Sequence, residues 1–286
     1  MEFELTQTKI KFLEEKANHI RQLIIEMLAT AGSGHPAGAL GMADIFAAFY
    51  FYILNHDPTN PNWPDRDRLV LSNGHICPVY YAAMALAGYF PVEELKTLRQ
   101  INSRLQGHPH RTSLPGLETT SGPLGEGISQ AIGIALAGRL DRKKYQIYCL
   151  VSDGEHQEGN TWEAVMFAAK NKINNFTVVI DRNNIQIDGS TEEVMPLEPL
   201  RQKYESFGWA VLEVDGNNIR AFIESINEAK AISEKPTVII AYTVPGKDVS
   251  FMEKDFHWHG QAPKPDQAAA ALKELRTLAE KIRRED

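Results

Sequence analysis

The residues best placed to do chemistry in this sequence are an acid and an amide about thirty positions apart, Asp153 and Asn183. Asp153 closes an apolar, aromatic and β-branched run from Tyr145 to Val151, which reads as a buried strand stopping at Ser152-Asp153-Gly154. Asn183 follows a second such run, Phe176 to Ile180, within Asp181-Arg182-Asn183-Asn184. Between them Asn160 and Thr161 read as helix caps, and Trp162, Val165, Met166 and Ala169 recur at helical spacing. Strand, crossover helix and strand make a right-handed parallel unit, so both strands finish at one sheet edge and the two side chains converge. A carboxylate and a carboxamide offer hard oxygen ligands, too few to cage an ion alone, which suits Mg²⁺ or Ca²⁺ held jointly with a diphosphate. Asp-Gly and Asn-Asn are also ordinary turn chemistry after strands, and that reading stays open at this point.

Histidines form the second chemical set. Four of the nine, His35, His75, His108 and His259, stand next to a glycine in a predicted loop. Together they make a polar cleft at one sheet edge, where imidazoles could bind phosphate or relay protons. His108-Pro109-His110 and His257-Trp258-His259 are His-x-His pairs, but neither belongs to a helical His-Glu-x-x-His zinc arrangement, and the cysteines are not spaced as ligands. Cys77 and Cys149, the only two, sit among apolar neighbours and read as buried thiols.

These groups need a scaffold, and the remaining chain supplies one of alternating helices and strands. Thr8 to Thr30 places Ile10, Leu13, Ala17, Ile20, Ile24, Met27 and Leu28 on one helical face. A Gly-rich loop with His35 follows, then an apolar helix from Met42 to Leu54, a strand at Arg66 to Leu71, and a small-residue helix through Leu86. Pro91 to about Ile101 reads as a helix. The long loop after it holds His108 and Gly122-Pro123-Leu124-Gly125-Glu126-Gly127, a length that points to function. Further elements are helices at Gly127–Leu140, Leu197–Phe207, Asn218–Ile232 and Gln267–Arg284, and strands at Ala210–Val214 and Thr237–Thr243. The expected fold is α/β, a predominantly parallel sheet with helices on both faces, in a single domain over residues 1–286. At 286 residues and 43% hydrophobic content a large core is possible, and a net charge of −7 argues against a nucleic-acid partner. Neither a secretory leader nor an apolar run long enough for a bilayer is visible, so no membrane and a cytoplasmic location are expected.

Six ordered motifs resemble one family. Ser33-Gly34-His35-Pro36, Ser72-Asn73-Gly74-His75, Gly107-His108-Pro109, Gly122 to Gly127, Ser152-Asp153-Gly154-Glu155 and Asp181-Arg182-Asn183-Asn184-Ile185 match in order the thiamin-diphosphate-binding (pyrophosphate) domain of transketolase, and His259-Gly260 also fits. The resemblance implies that Asp153, the Asn183 side chain and the Ile185 carbonyl hold Mg²⁺ or Ca²⁺ against thiamin diphosphate. It implies that His75, Gly154 and His259 contact the diphosphate, and that Gly122 and Leu124 lie along the cofactor's middle and ring. His35, His108 and His259 match catalytic histidines that handle sugar hydroxyls, Glu158 and Glu163 match acids near the subunit interface, and Lys247 falls at a basic loop position of open role.

The resemblance also implies an activity and a partner. Transketolases of the pentose phosphate pathway move a two-carbon ketol unit reversibly from a ketose phosphate, such as xylulose 5-phosphate, to an aldose phosphate, such as ribose 5-phosphate. The glutamate that ionises the cofactor comes from a pyrimidine-binding domain that this sequence does not contain. The expectation is therefore the N-terminal subunit of a split transketolase, active with a C-terminal partner subunit in a heterotetramer. Alternatives are the α subunit of a 2-oxoacid dehydrogenase, a relative of deoxyxylulose-phosphate synthase, or a non-catalytic cofactor-binding subunit. Two departures bear on local shape: Ser152 replaces the glycine usual before Asp-Gly, and Ala37-Gly38-Ala39-Leu40 varies the stretch after His35-Pro36.

Overall fold

Five strands, all but the edge strand Ala210–Asp215 with almost wholly buried side chains, set the frame of the computed structural model, which describes residues 5–284. They are β1 (Arg68–Leu71), β2 (Ile147–Ser152), β3 (Phe176–Arg182), β6 (Ala210–Asp215) and β7 (Thr237–Tyr242), in the order β1-β2-β3-β7-β6 with every pairing parallel. A small antiparallel hairpin of β4 (Ile185–Gln186) and β5 (Gly189–Ser190) follows β3. The sheet is buried on both faces because its strands alternate between two cores. Tyr148, Leu150, Val179, Ile239 and Ala241 point into one; Cys149, Val151, Val178, Ile180, Val238 and Ile240 point into the other.

Against the first core pack α1 (Gln7–Ala31), α2 (Pro36–Gly41), α3 (Ala43–Ala48), α4 (Cys77–Ala87), α9 (Ile219–Ala231) and α10 (Pro265–Arg284). Against the second pack α5 (Glu126–Leu140), α6 (Gly159–Lys170) and α8 (Leu200–Ser206), with the single turn α7 (Thr191–Val194) lying between the hairpin and α8. Helix α1 starts at an N-cap, Thr6, whose hydroxyl accepts the Lys9 N–H, and stops at Gly32, which takes the left-handed φ of 64°. All seven apolar residues of its expected face are buried. Each fully buried Leu or Ile contributes about 1.5–3 kcal/mol, so this long helix and the sheet form a stiff base.

Several local expectations are corrected. The helix expected from Met42 to Leu54 is present from Ala43, but its second half is a π turn, Phe49–Ile53, in which the Leu54 N–H reaches Phe49 O, and the end of the preceding Gly-rich loop is itself helical from Pro36 to Gly41. Pro91 to Ile101 holds only a 3₁₀ segment, Val92–Thr97, which matches the three-residue spacing of buried Leu95 and Leu98. Asn160 and Thr161 are not caps: α6 begins at Gly159, and their side chains bond Leu124 O and Glu155 O instead. Met166 is 57% exposed, because the buried stripe of α6 is Thr161, Ala164, Val165 and Ala168, small residues that let the helix lie close to the sheet.

Candidate functional site

The acid and the amide do meet. Strands β2 and β3 pair in parallel with Ser152 opposite Asp181, and the Asp153 N–H continues the ladder to Asp181 O at 3.2 Å. The chain therefore turns out of both strands at the same level. Ser152 is the last residue of the extended strand β2, so the absence of glycine there costs nothing. The Asp153 carboxylate is fully buried. Its Oδ1 accepts the Gly154 N–H at 2.7 Å, and its Oδ2 accepts the Asn184 N–H at 2.7 Å and Arg182 Nη1 at 3.2 Å. Burial pushes its pKa up to about 6, while Arg182 and the two backbone donors pull the other way. Asn184 reaches its position through a left-handed φ of 64°, which asparagine tolerates better than most residues.

Above this floor lies a cavity of about 300 Å³. Gly154, Asn183 and Ile185 line it on one side, Gly122 and Leu124 on another, and His35, His75, His108 and His259 on the rest. Three imidazoles are packed against one another, with ring centroids 5.0 Å apart for His35 and His75, 5.2 Å for His75 and His259, and 5.6 Å for His35 and His259. Burial lowers the pKa of each; for His35 it falls to about 4, with His259, Arg99 and His108 adding to the effect. Burial and Arg99 lower His108 as well. All four rings are therefore neutral at pH 7 and can both accept and donate a proton. His35 Nδ1, the Asn73 amide and Ser121 Oγ are buried without a hydrogen-bond partner among the described residues. Of these only His35 lines the cavity, and an unpartnered ring nitrogen there is suited to a bound ligand or ordered water.

A buried carboxylate ties the Gly-rich loop to this edge. Glu155 accepts the Ser72 hydroxyl, the Gly125 N–H at 2.5 Å and the Ser152 N–H at 3.2 Å, and Ser72 Oγ accepts the Gly127 N–H at 3.0 Å. Gly125 turns with a φ of 81°, and a side chain there would run into Asn160. The turn thus needs glycine for both conformation and space.

Of the residues singled out in the sequence, all four Gly-flanked histidines, Gly122, Leu124, Gly154, Asn183, Ile185 and Glu158 line the cavity, and Asp153 lies directly beneath it. Glu163 is exposed on α6 and does not reach it. Lys247 is ion-paired with Asp248 at 3.3 Å, away from the cavity wall. His110 bonds Thr112 and His257 bonds Asp255, so the two His-x-His pairs each send one member elsewhere. Gln157, Gln186 and Ile187, which the sequence does not single out, also line the cavity, and Arg182, which the sequence leaves without a ligand role, has a guanidinium that joins Asp153 to Glu192 and Glu198. A charged residue ending an otherwise apolar strand was the available signal for Arg182. Cys77 and Cys149 are buried free thiols, as expected. No helix of the described residues is long and apolar enough to cross a membrane.

The donor set fits the group that the motifs imply. The Asp153 carboxylate, one residue from the cavity-lining Gly154, and the Asn183 carboxamide in the wall are hard oxygen groups that suit a divalent cation, and the unpartnered His35 Nδ1 in the wall suits a polar cofactor or substrate. Comparison with known proteins agrees. The family described as transketolase, thiamine diphosphate binding domain, matches residues 13–280. The chain is 42% identical over 263 residues to the 6-deoxy-6-sulfo-D-fructose transketolase subunit SqwG of Clostridium sp. (strain MSTE9), covering 92% of this chain and 96% of that one. It is 36% identical over 278 residues to an apulose-4-phosphate transketolase subunit of Phocaeicola vulgatus, covering 97% of this chain and 99% of that one. The transketolase of Campylobacter jejuni superposes with a TM-score of 0.87 at 34% identity, over 94% of this chain and 42% of that longer one.

Proposed function

Because this chain belongs to the transketolase thiamine diphosphate binding domain family, we propose that it is the N-terminal subunit of a two-chain transketolase, transferring a two-carbon ketol unit between anionic sugars. Thiamin diphosphate, when bound, supplies the carbon nucleophile that adds to a sugar carbonyl. The oxygens of Asp153, Asn183 and the Ile185 carbonyl would hold Mg²⁺ or Ca²⁺ with the diphosphate, contacted also by His75, Gly154 and His259. Gly122 and Leu124 would line the cofactor's middle and ring. His35, His108 and His259, neutral at pH 7, would hold sugar hydroxyls and carry protons at the carbonyl oxygen.

The observation that carries this reading is the convergence of the Asp153–Asn183 corner and three packed imidazoles on one cavity, with His35 Nδ1 left unpartnered. A silent cofactor-binding subunit needs no such proton-handling ring, and neither does a 2-oxoacid dehydrogenase subunit that binds no sugar. One relative is named for a sulfo-sugar and another for a sugar phosphate, which supports a substrate ending in an anion. The relatives named as subunits support a partner chain bearing the pyrimidine-binding domain, in a heterotetramer whose contacts include Glu158 and Glu163. The whole chain is read as one cytoplasmic domain.

The test is to titrate thiamin diphosphate and Mg²⁺ into the chain with and without its co-purified partner, then assay xylulose 5-phosphate against pyruvate. Ketol transfer that appears only with the partner, and with the sugar, is expected. Full turnover by the single chain would remove the two-chain reading, and turnover of pyruvate alone would remove the transketolase reading.

A further inference from the structure

Asp181 has no part in the chemistry above, yet it touches one of the proposed cation ligands. It lies near the end of β3, is 1% exposed, and its carboxylate faces two donors. Oδ2 accepts Asn183 Nδ2 at 2.9 Å, and Oδ1 accepts the Thr243 hydroxyl from the residue after β7. At the far end of the same carboxamide, Asn183 Oδ1 accepts the Ile185 N–H at 3.0 Å.

The two ends of a carboxamide have nearly the same shape, so neighbours must tell them apart. Burial and the nearby Asp153 push the pKa of Asp181 up to about 7 while the Thr243 hydroxyl and the Asn183 amide pull it down; once ionised, its carboxylate only accepts, and with the Ile185 N–H on the other side it allows a single orientation of the amide. Turning the group over would set two oxygens against each other on one side and two N–H groups on the other, leaving buried polar atoms unsatisfied. A Cβ at Gly38 would lie 3.8 Å from Asp181 Oδ2 and 4.0 Å from Asn183 Nδ2, at ordinary contact distance, so the α2 backbone lies beside the pair.

We infer that Asp181 is a positioning residue for the divalent cation: it anchors the nitrogen of Asn183 inward and so keeps the carboxamide oxygen toward the cavity, with Thr243 fixing the carboxylate in turn. The inference rests on reading Asn183 as a ligand. An amide at position 181 would lose this discrimination, because it can donate as well as accept.

The experiment follows intrinsic fluorescence of the chain with its co-purified partner while Mg²⁺ is titrated at fixed thiamin diphosphate. Asp181→Asn should raise the Mg²⁺ concentration for half-saturation about tenfold, while cofactor affinity at saturating Mg²⁺ stays within about threefold of wild type. Thr243→Val, which removes only the outer contact, should shift it the same way and less. Asn183→Asp alone, which sets two carboxylates face to face, should also weaken Mg²⁺ binding. The exchange Asp181→Asn with Asn183→Asp restores an N–H to oxygen pair between the two positions and should recover affinity above either single variant. A merely structural role would not produce that recovery. An unchanged Mg²⁺ dependence in Asp181→Asn, or an exchange no better than the worse single variant, overturns the inference. If Asn183→Ala leaves the Mg²⁺ dependence at the wild-type value, the ligand reading itself fails, an outcome distinct from failure of the positioning role alone.

Discussion

Two histidine sites in this molecule, the buried His156 among aromatic rings and the half-buried trio of His35, His75 and His259 packed on one another, differ in how their nitrogens are used. His156, three residues past Asp153, is 2% exposed, and both ring nitrogens are satisfied, Nδ1 by Ser152 O at 2.8 Å and Nε2 by Tyr204 OH at 2.7 Å. Trp162 packs on both His156 and Tyr204. His35 sits among His75 and His259 with Nδ1 buried and unpartnered. Burial lowers the pKa of both His35 and His156 to about 4, so ionisation alone does not separate them. What separates them is spare hydrogen-bonding capacity. The first cluster spends all of it on the fold, and the second keeps some for a ligand.

That contrast can be broken from either side. The largest effect is expected for His35→Phe in the complex with the partner: turnover should fall about 100-fold or more. Thermal stability should hold or rise slightly, because an unsatisfied buried nitrogen is removed. Lost stability with retained turnover would invert the assignment. Next, His156→Leu leaves Ser152 O and Tyr204 OH without partners. It should cost about 2–4 kcal/mol in denaturant unfolding while the affinity for thiamin diphosphate changes little. Tyr204→Phe, which strands only His156 Nε2, should cost about 1–2 kcal/mol by the same measurement.

The smallest effect concerns pH. Both imidazoles fold with a pKa near 4 against an unfolded value of 6.5, so on acidification the unfolded chain takes up protons first. Their contribution to stability is complete above about pH 6.5 and drains away toward pH 4. Proton NMR of the two rings should show no titration between pH 7 and 5.5. A ring that titrates at its ordinary value in that window would show that water reaches it in the folded chain, and the contrast would lose its footing.

The fold was legible because strand runs and helical stripes are local patterns. Tyr145 to Val151 and Phe176 to Ile180 are β-branched and apolar enough to admit only a buried parallel strand, and the α1 face is periodic over seven positions. Local geometry was less legible. Gly41, between α2 and α3, passes so close to Val244 O, about 200 residues away in sequence, that a Cβ there would collide with it, and no local pattern records that approach. Asn160 and Thr161 have capping side chains, but tertiary partners in the Gly-rich loop and at Glu155 claimed them first.

The same division runs through the site. Residue types and order alone brought Asp153 and Asn183 to one edge of a parallel sheet, because a β-α-β crossover has one hand and its strand ends coincide, and they put four glycine-flanked histidines in loops that could join that edge. Only the tertiary structure decided how those groups are set: that Arg182 and backbone N–H groups grip Asp153, that Asp181 and Ile185 orient the Asn183 amide, and that His35 is left wanting a partner while His156 is not. Burial and hydrogen-bond direction depend on neighbours far apart in the chain, and sequence spacing carries no record of which of those neighbours arrive.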